Sequence, residues 1–278
     1  MRGKLVSSVS KMKDESTPSP ITGSKNSGLG LVMFDSLLSH FSGKKEISNV
    51  DPVLLKRMRQ EFENSEFFGE DMRNLWLMLE RIQIKANLDL GNNEDHIDLL
   101  NLACGYCEEG AILPAFWGRS GQSVQQFSVD LRDAEIDKAK RRYAATESIF
   151  KSVIDPKVVN SSSESSNVEF IADNAVNLSI YGQIPSKFDV VFIRHQNLWH
   201  DRPTWQKIYD YALGILSESG VLIITSYFDR EHMLALELIK LLGGNVLVTE
   251  KNELSRELDF PGKSIDRHVA AIALNALN

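Results

Sequence analysis

Hydrophobic and polar positions follow two different rhythms in this chain, and the change falls near residue 94. Upstream, apolar residues recur at helical spacing. Met72, Leu75, Trp76, Leu79 and Ile82 fall on one face of a helix expected over about 71–86. Asp51 followed by Pro52 reads as a cap and a first helical position, so a helix should run from there to about Glu63. The segment LVMFDSLLSHFS, at 31–42, has the pattern of a short amphipathic helix. Residues 1–30 are rich in Ser, Lys, Gly and Pro, lack periodicity and read as a disordered tail.

Downstream, short apolar runs alternate with amphipathic stretches. Strands are expected near 97–103, 125–130, 168–172, 188–194 and 220–226, and helices near 108–117, 133–150, 203–217 and 230–242. Pro114 should shorten or kink the first of these helices. Residues 155–167 form a polar loop, and two last strands near 245–250 and 267–274 are joined by a charged connection. Strand and helix in alternation imply a parallel sheet with helices on both faces. The expected organisation is a tail at 1–30, a helical extension at 31–93 and an α/β domain over 94–278. The extension either packs on the core or closes over a substrate.

The stretch from His96 to Arg142 carries the most chemistry. An apolar run ends in the small-residue turn Ala103-Cys104-Gly105-Tyr106-Cys107, and the next apolar run ends in an acid, Asp130. That is the layout of a nucleotide pocket, in which backbone approaches the ligand at the turn and the acid binds the two hydroxyls of a ribose. A dinucleotide site wants three glycines there, so that pyrophosphate can sit against bare backbone. With one glycine, NAD is disfavoured, and the absence of G-x-x-x-x-G-K-[ST] excludes a P-loop. S-adenosylmethionine has a ribose but no phosphate, and needs fewer glycines.

With these motifs in order, the chain resembles the class I S-adenosylmethionine-dependent methyltransferases over about residues 94–274. NLACGYC resembles the family's first motif, VEFIADNA its third-strand motif, FDVVFIRHQ its fourth strand, and LGILSESGVLIITSYF the helix and fifth strand. The resemblance implies a Rossmann-like three-layer sandwich. Its sheet would have seven strands, mostly parallel, with an antiparallel C-terminal edge, beside the helical N-terminal extension. It implies S-adenosylmethionine as cofactor, held by Asn101, Ala103, Gly105, Asp130, Leu131, Asp173, Asn174 and Arg194. The family's motif-one acid is Asn101 here, its first glycine Ala103 and its third Cys107. Asn101 keeps a hydrogen bond to the methionine ammonium but loses the charge attraction. Cys107 adds a Cβ where backbone passes close to ligand. Those departures leave a non-catalytic methyltransferase-like binding protein as an alternative; an NAD-dependent enzyme is the third reading.

Candidates for catalysis follow the fourth strand, because ligands in open α/β sheets sit beyond the carboxyl ends of strands. His195 could act as general base, since an imidazole titrates near neutral pH; it could equally hold its loop. Trp199 and Trp205 either anchor that loop or form a flat wall for an aromatic or cationic substrate. The [DN]-P-P-[YF] signature of nucleic-acid and protein N-methylation is absent. A small-molecule acceptor is therefore expected.

Composition narrows the setting. Hydrophobic residues make up 42% and charged residues 25% of 278, as in soluble globular proteins. Residues 1–45 hold seven Lys or Arg against three Asp or Glu, and the remainder holds 24 against 35. An acidic body argues against a broad nucleic-acid surface. No apolar run is long enough to span a membrane, and the N-terminus has no apolar signal core, so the expected location is cytoplasmic. The two cysteines form Cys104-Gly105-Tyr106-Cys107. A C-x-x-C can be a redox pair, but its place in the pocket turn favours two small residues that permit the turn. No second cysteine pair exists to complete a zinc site, so no metal is expected.

Overall fold

The computed structural model describes residues 27–42, 52–63, 70–88, 90, 95–151, 168–176, 178 and 184–274. Residues 1–26 of the expected tail, the Asp51 cap and the 155–167 loop lie outside the described residues. Helices α1 (Ser27–Ser42), α2 (Pro52–Glu63) and α3 (Glu70–Lys85) come first. There follow β1 (His96–Leu102), α4 (Ile112–Trp117), β2 (Ser123–Asp130), α5 (Asp133–Lys151) and β3 (Val168–Ala172). The chain ends with β4 (Phe188–Arg194), α6 (Arg202–Gly214), β5 (Leu216–Ser226), α7 (Asp229–Leu241), β6 (Gly244–Lys251) and β7 (His268–Leu274).

The seven strands form one sheet in the order β3-β2-β1-β4-β5-β7-β6. Strands β1 to β5 pair in parallel, and β7 runs antiparallel to both of its neighbours, β5 and β6. The C-terminal edge thus carries the reversal, with β7 one place in from the rim. Both faces are covered, which makes a three-layer α/β sandwich. In β4, Val190 and Phe192 join the apolar cluster on one face, while Val191 and Ile193 join the cluster on the other. A strand buried on both sides reads as an unbroken apolar run, as FDVVFIR does. Edge strand β6 instead alternates between shielded and exposed positions.

The first apolar layer is built largely by the N-terminal helices. Met33, Phe34, Leu37, Leu38 and Phe41 form the buried stripe of α1, at the spacing that puts them on one helix face. Phe34 and Phe41 each lie 5.4 Å from the ring of Phe150 in α5. On α3, Met72, Leu75, Trp76, Leu79 and Ile82 are all buried, and Trp76 meets Phe116 edge-on at 5.0 Å. Helices α6 and α7 supply the opposite layer through Ile208, Tyr209, Ala235 and Leu238.

Several boundaries differ from the pattern. Helix α1 starts at Ser27, inside the segment expected to be disordered. Regular helix around Pro114 covers only 112–117, with turns over 108–111. Helix α6 stops at Gly214, and β5 begins at Leu216, four residues early, because Leu216 pairs with Phe188 across a register shift. Gly220 makes that shift possible. A Cβ there would lie 2.7 Å from the Phe188 carbonyl oxygen and 2.8 Å from the Ser217 nitrogen. No described helix is long and apolar enough to cross a membrane.

Candidate functional site

Strands β1 and β4 are neighbours in the sheet, and their following connections leave in opposite directions. Such a switch point leaves a crevice at the carboxyl ends of the strands. Here it is a cavity of about 480 Å³, bordered by the turn 103–109, by Arg132 and Glu135, by Arg194 and His195, by Tyr227, and by Asp71 and Arg256.

The turn is held by its surroundings rather than by glycine. Ala103, Gly105 and Cys107 have φ of +54°, +57° and +49°. These alternate positions are where the resembling family places glycines, so the shape is kept while two of the three residues carry a Cβ. A left-handed conformation costs an L-residue about 1–2 kcal/mol. Of the five non-glycine residues with positive φ among those described, Ala103, Cys107, His195 and Asp266 belong to this site. Strain of this kind persists only where the surrounding structure over-determines it, and it clusters at functional sites. Ala103→Gly should therefore raise stability by about 0.5–1 kcal/mol, the relieved strain less the entropy that glycine adds to the unfolded chain. Urea unfolding measures it, and a less stable variant would show that Ala103 bears no strain.

Below the turn lies a buried polar cluster. Asn101 is fully buried, and its Nδ2 donates to Glu109 Oε1 at 2.7 Å and to Cys107 Sγ at 3.3 Å. Glu109 Oε2 accepts from Arg194 Nη1 at 3.1 Å. Arg194 also donates through Nε at 3.0 Å and Nη2 at 2.7 Å to the two oxygens of Asp266, and through Nη1 at 3.4 Å to Glu108. Thr225 donates its hydroxyl to Asp266 at 2.8 Å. Burial works against both charges. Asp266 and Glu109 nonetheless hold the Arg194 guanidinium well above its ordinary range, and Arg194 with His195 holds Asp266 well below the carboxylate range.

His195 Nε2 accepts from the Asp266 backbone N–H at 3.2 Å and lies 2.9 Å from Asp266 Oδ1. Asp266 thus holds the ring through both its main chain and its carboxylate. The ring is also stacked on Tyr227, with centroids 3.8 Å apart.

Asp130 ends β2 with its carboxylate shielded. Oδ2 accepts from the Gly105 N–H at 2.8 Å and from Arg132 Nη2 at 3.3 Å, and Oδ1 accepts from the Arg132 N–H at 3.0 Å and from its Nε at 2.9 Å. Burial would raise this carboxyl, but the bonds from Arg132 and Gly105 outweigh it and hold it low. Leu131 projects into solvent, 72% exposed. Asp173 and Asn174 sit at the equivalent place after β3, where the Asp173 N–H donates to the Asp130 carbonyl at 3.1 Å.

The structure thus gathers Ala103, Gly105, Arg194 and His195 around the cavity, with Asp130, Leu131, Asp173 and Asn174 beyond its rim on the neighbouring strand ends. Arg132 borders the cavity and holds Asp130. Asn101 lies beneath the turn, turned to Glu109. The donors of Arg194 go to three carboxylates. The pattern of the sequence missed Glu108, Glu109, Arg132, Arg256 and Asp266. A Glu-Glu pair directly after the C-x-x-C was the one local signal for the first two. Cys104 and Cys107 are both free and buried, and hydrogen bonding between them, with burial, pushes the Cys104 thiol up. Trp205 packs into the core beside Tyr209 at 6.0 Å, as an anchor, whereas Trp199 is exposed.

Compared by sequence, the chain matches no family model and no curated protein. Compared by structure, it is similar to the PH0226 protein of Pyrococcus horikoshii OT3, with a TM-score of 0.50 and 18% identity over 76% of this chain and 93% of that one. An S-adenosylmethionine-dependent methyltransferase from Clostridium acetobutylicum gives a TM-score of 0.48 and 12% identity, over 73% of this chain and 91% of the other. At 18% identity the first likeness is one of fold, and it agrees with the Rossmann-like three-layer architecture read from the strand order.

Proposed function

We propose that this chain is an S-adenosylmethionine-dependent methyltransferase acting on a small molecule. The observation that carries this reading is the cavity at the switch point, where carboxylates and guanidinium groups face one another over a left-handed turn. Such mixed charge suits the zwitterionic end of an amino acid. When bound, S-adenosylmethionine would supply a methyl group already activated by its sulfonium.

The residues present fit that cofactor. Asp130 has four acceptor positions in use, two for backbone N–H groups and two for the Arg132 guanidinium. The Arg132 side chain is 64% exposed. A ribose diol can take over its two bonds while Gly105 and the Arg132 backbone keep the carboxylate in place. Glu108 and Glu109 return, beside Asn101, the negative charge that an asparagine lacks. Glu108 borders the cavity and can meet an ammonium, and Arg256 borders it to meet a carboxylate. Leu131 and Asp173 offer an apolar face and an acceptor for an adenine.

His195 is the general base of this reading. Asp266 holds the ring in place, Tyr227 fixes its plane, and the imidazole takes the acceptor's proton. Alignment and exclusion of water by the surrounding walls supply the rest of the rate.

Calorimetric titration tests the reading. S-adenosylmethionine and S-adenosylhomocysteine should bind, and NAD should not. Asp130→Ala should weaken binding by about 1.5–3 kcal/mol per charged hydrogen bond lost. Arg132→Ala should bind at least as tightly as the natural chain, because it removes the competitor for Asp130. Tighter binding of NAD, or an unchanged affinity in a folded Asp130→Ala variant, would sink the proposal.

A further inference from the structure

Beyond His195 the chain builds a second cavity of about 650 Å³, bordered by Trp199, Tyr227, Phe228, Phe260 and Lys263. Its size is that of a small-molecule site. His195 and Tyr227 border both cavities, so the two meet there. The rings are displayed rather than packed away: Trp199 is 46% exposed and Phe260 61%. Phe260 meets Phe228 edge-on at 5.8 Å, which fixes its plane. An exposed cluster of flat rings in a concavity is suited to receive another flat ring.

Charge decides which kind. The Lys263 ammonium stands 4.3 Å from the centre of the Tyr227 ring, and the Arg230 guanidinium 5.2 Å from the centre of Trp199. Two of the faces that could hold a cation are therefore already occupied by the chain's own cations. Among the described residues, Lys263 makes no ion pair. The one carboxylate on the cavity wall, Glu231, lies in the first turn of α7 and accepts a backbone N–H from Tyr227 at 3.2 Å. An incoming cation would find two of the stacking faces filled and like charge beside them. An incoming anion would find an ammonium beside the rings.

We propose that this second cavity binds a planar aromatic molecule carrying an acidic group, with its ring against Trp199 and Phe260 and its negative charge on Lys263. It rests on the reading above for the role of acceptor site, and on the cavity alone for binding. The neighbouring cavity, with its mixed charge, would take the zwitterion, and the aromatic acid would approach it past His195.

The test uses the full chain and three probes of one shape: 2-naphthoate, 2-naphthalenemethanol and 2-naphthylmethylammonium. Calorimetry should find naphthoate bound at least tenfold more tightly than the ammonium, with the alcohol between. Lys263→Met should cost naphthoate about tenfold and leave the alcohol unchanged, whereas Phe260→Ala should weaken both. S-adenosylhomocysteine affinity should stay unchanged in both variants, which also shows that they are folded. Equal binding of naphthoate and ammonium, indifference to Lys263→Met, or no binding of any probe at millimolar concentration overturns the proposal. Naphthoate bound by a chain that ignores S-adenosylhomocysteine would uphold this cavity and defeat the cofactor reading. The reverse result would defeat this cavity alone.

Discussion

Asp266→Ala should destabilise the protein by about 3–5 kcal/mol, the cost of stripping one partner from a buried ion pair. Arg194 is almost fully shielded and donates to both Asp266 oxygens, so the substitution leaves its Nε and Nη2 without their acceptors. Glu109 at 3.1 Å and Glu108 at 3.4 Å remain, both through Nη1 alone. The Thr225 hydroxyl loses its acceptor at the same moment, and His195 the carboxylate beside it. Asp266→Asn keeps the shape and should cost less, because one oxygen still accepts while the charge is lost. Urea unfolding at neutral pH measures both. A loss under about 1 kcal/mol for the alanine variant would mean that the cluster is hydrated and its charges are not interdependent.

Acid should weaken the fold through two buried histidines before most carboxylates titrate. Burial lowers His40 to about 4 and His232 to about 3, from an ordinary 6.5. His232 is held neutral between the Ser226 hydroxyl at 3.1 Å and the Thr249 hydroxyl at 2.7 Å, with His268 stacked 4.9 Å away. His40 meets the Tyr143 hydroxyl at 2.9 Å. A group whose folded value is depressed binds fewer protons folded than unfolded. Its stabilisation is therefore complete above about 6.5 and drains away as pH falls towards the folded value. By pH 4.5 each histidine should have lost roughly 2–3 kcal/mol. Glu231 acts in the opposite sense, since burial pushes it up to about 7 and folding then favours its proton as pH falls. A single substitution separates the two. The stability gap between the natural chain and His232→Asn should narrow by roughly 2–3 kcal/mol from pH 7.5 to 4.5. A gap that is constant with pH would show that His232 is not held neutral.

What could be read from the sequence was what local periodicity encodes. FDVVFIR announced a central strand because both of its faces are covered, and the apolar stripe of α3 announced a packed helix. The start of α1 was hidden because Ser27-Gly28-Leu29-Gly30 has poor helix formers, and tertiary packing of Met33 to Phe41 sustains that helix instead. The early start of β5 was hidden in the polar Ser217-Glu218-Ser219, which falls in the register shift between the Phe188–Leu216 and Val190–Val221 pairs. At the site, Asp130 stood out by its place at a strand end. Asp266 carried no such mark, because its partner Arg194 is 72 residues away in the chain. Glu109 looked like a solvated acid on a turn, and it is buried only because Arg194, 85 residues on, neutralises it.

The packing of α1 has a consequence for biogenesis. Its stripe settles on α4 and α5, and the His40–Tyr143 contact to α5 spans 103 residues of chain. At about 5–20 residues per second, synthesis of that interval takes roughly 5–20 seconds. Throughout it, Met33, Phe34, Leu37, Leu38 and Phe41 have no final partner on α5. The ribosome thus delivers an apolar face well before the helices that cover it. This chain should lean on chaperones while nascent, and should refold from denaturant more slowly than its helix content suggests, since the contacts that anchor α1 close long loops.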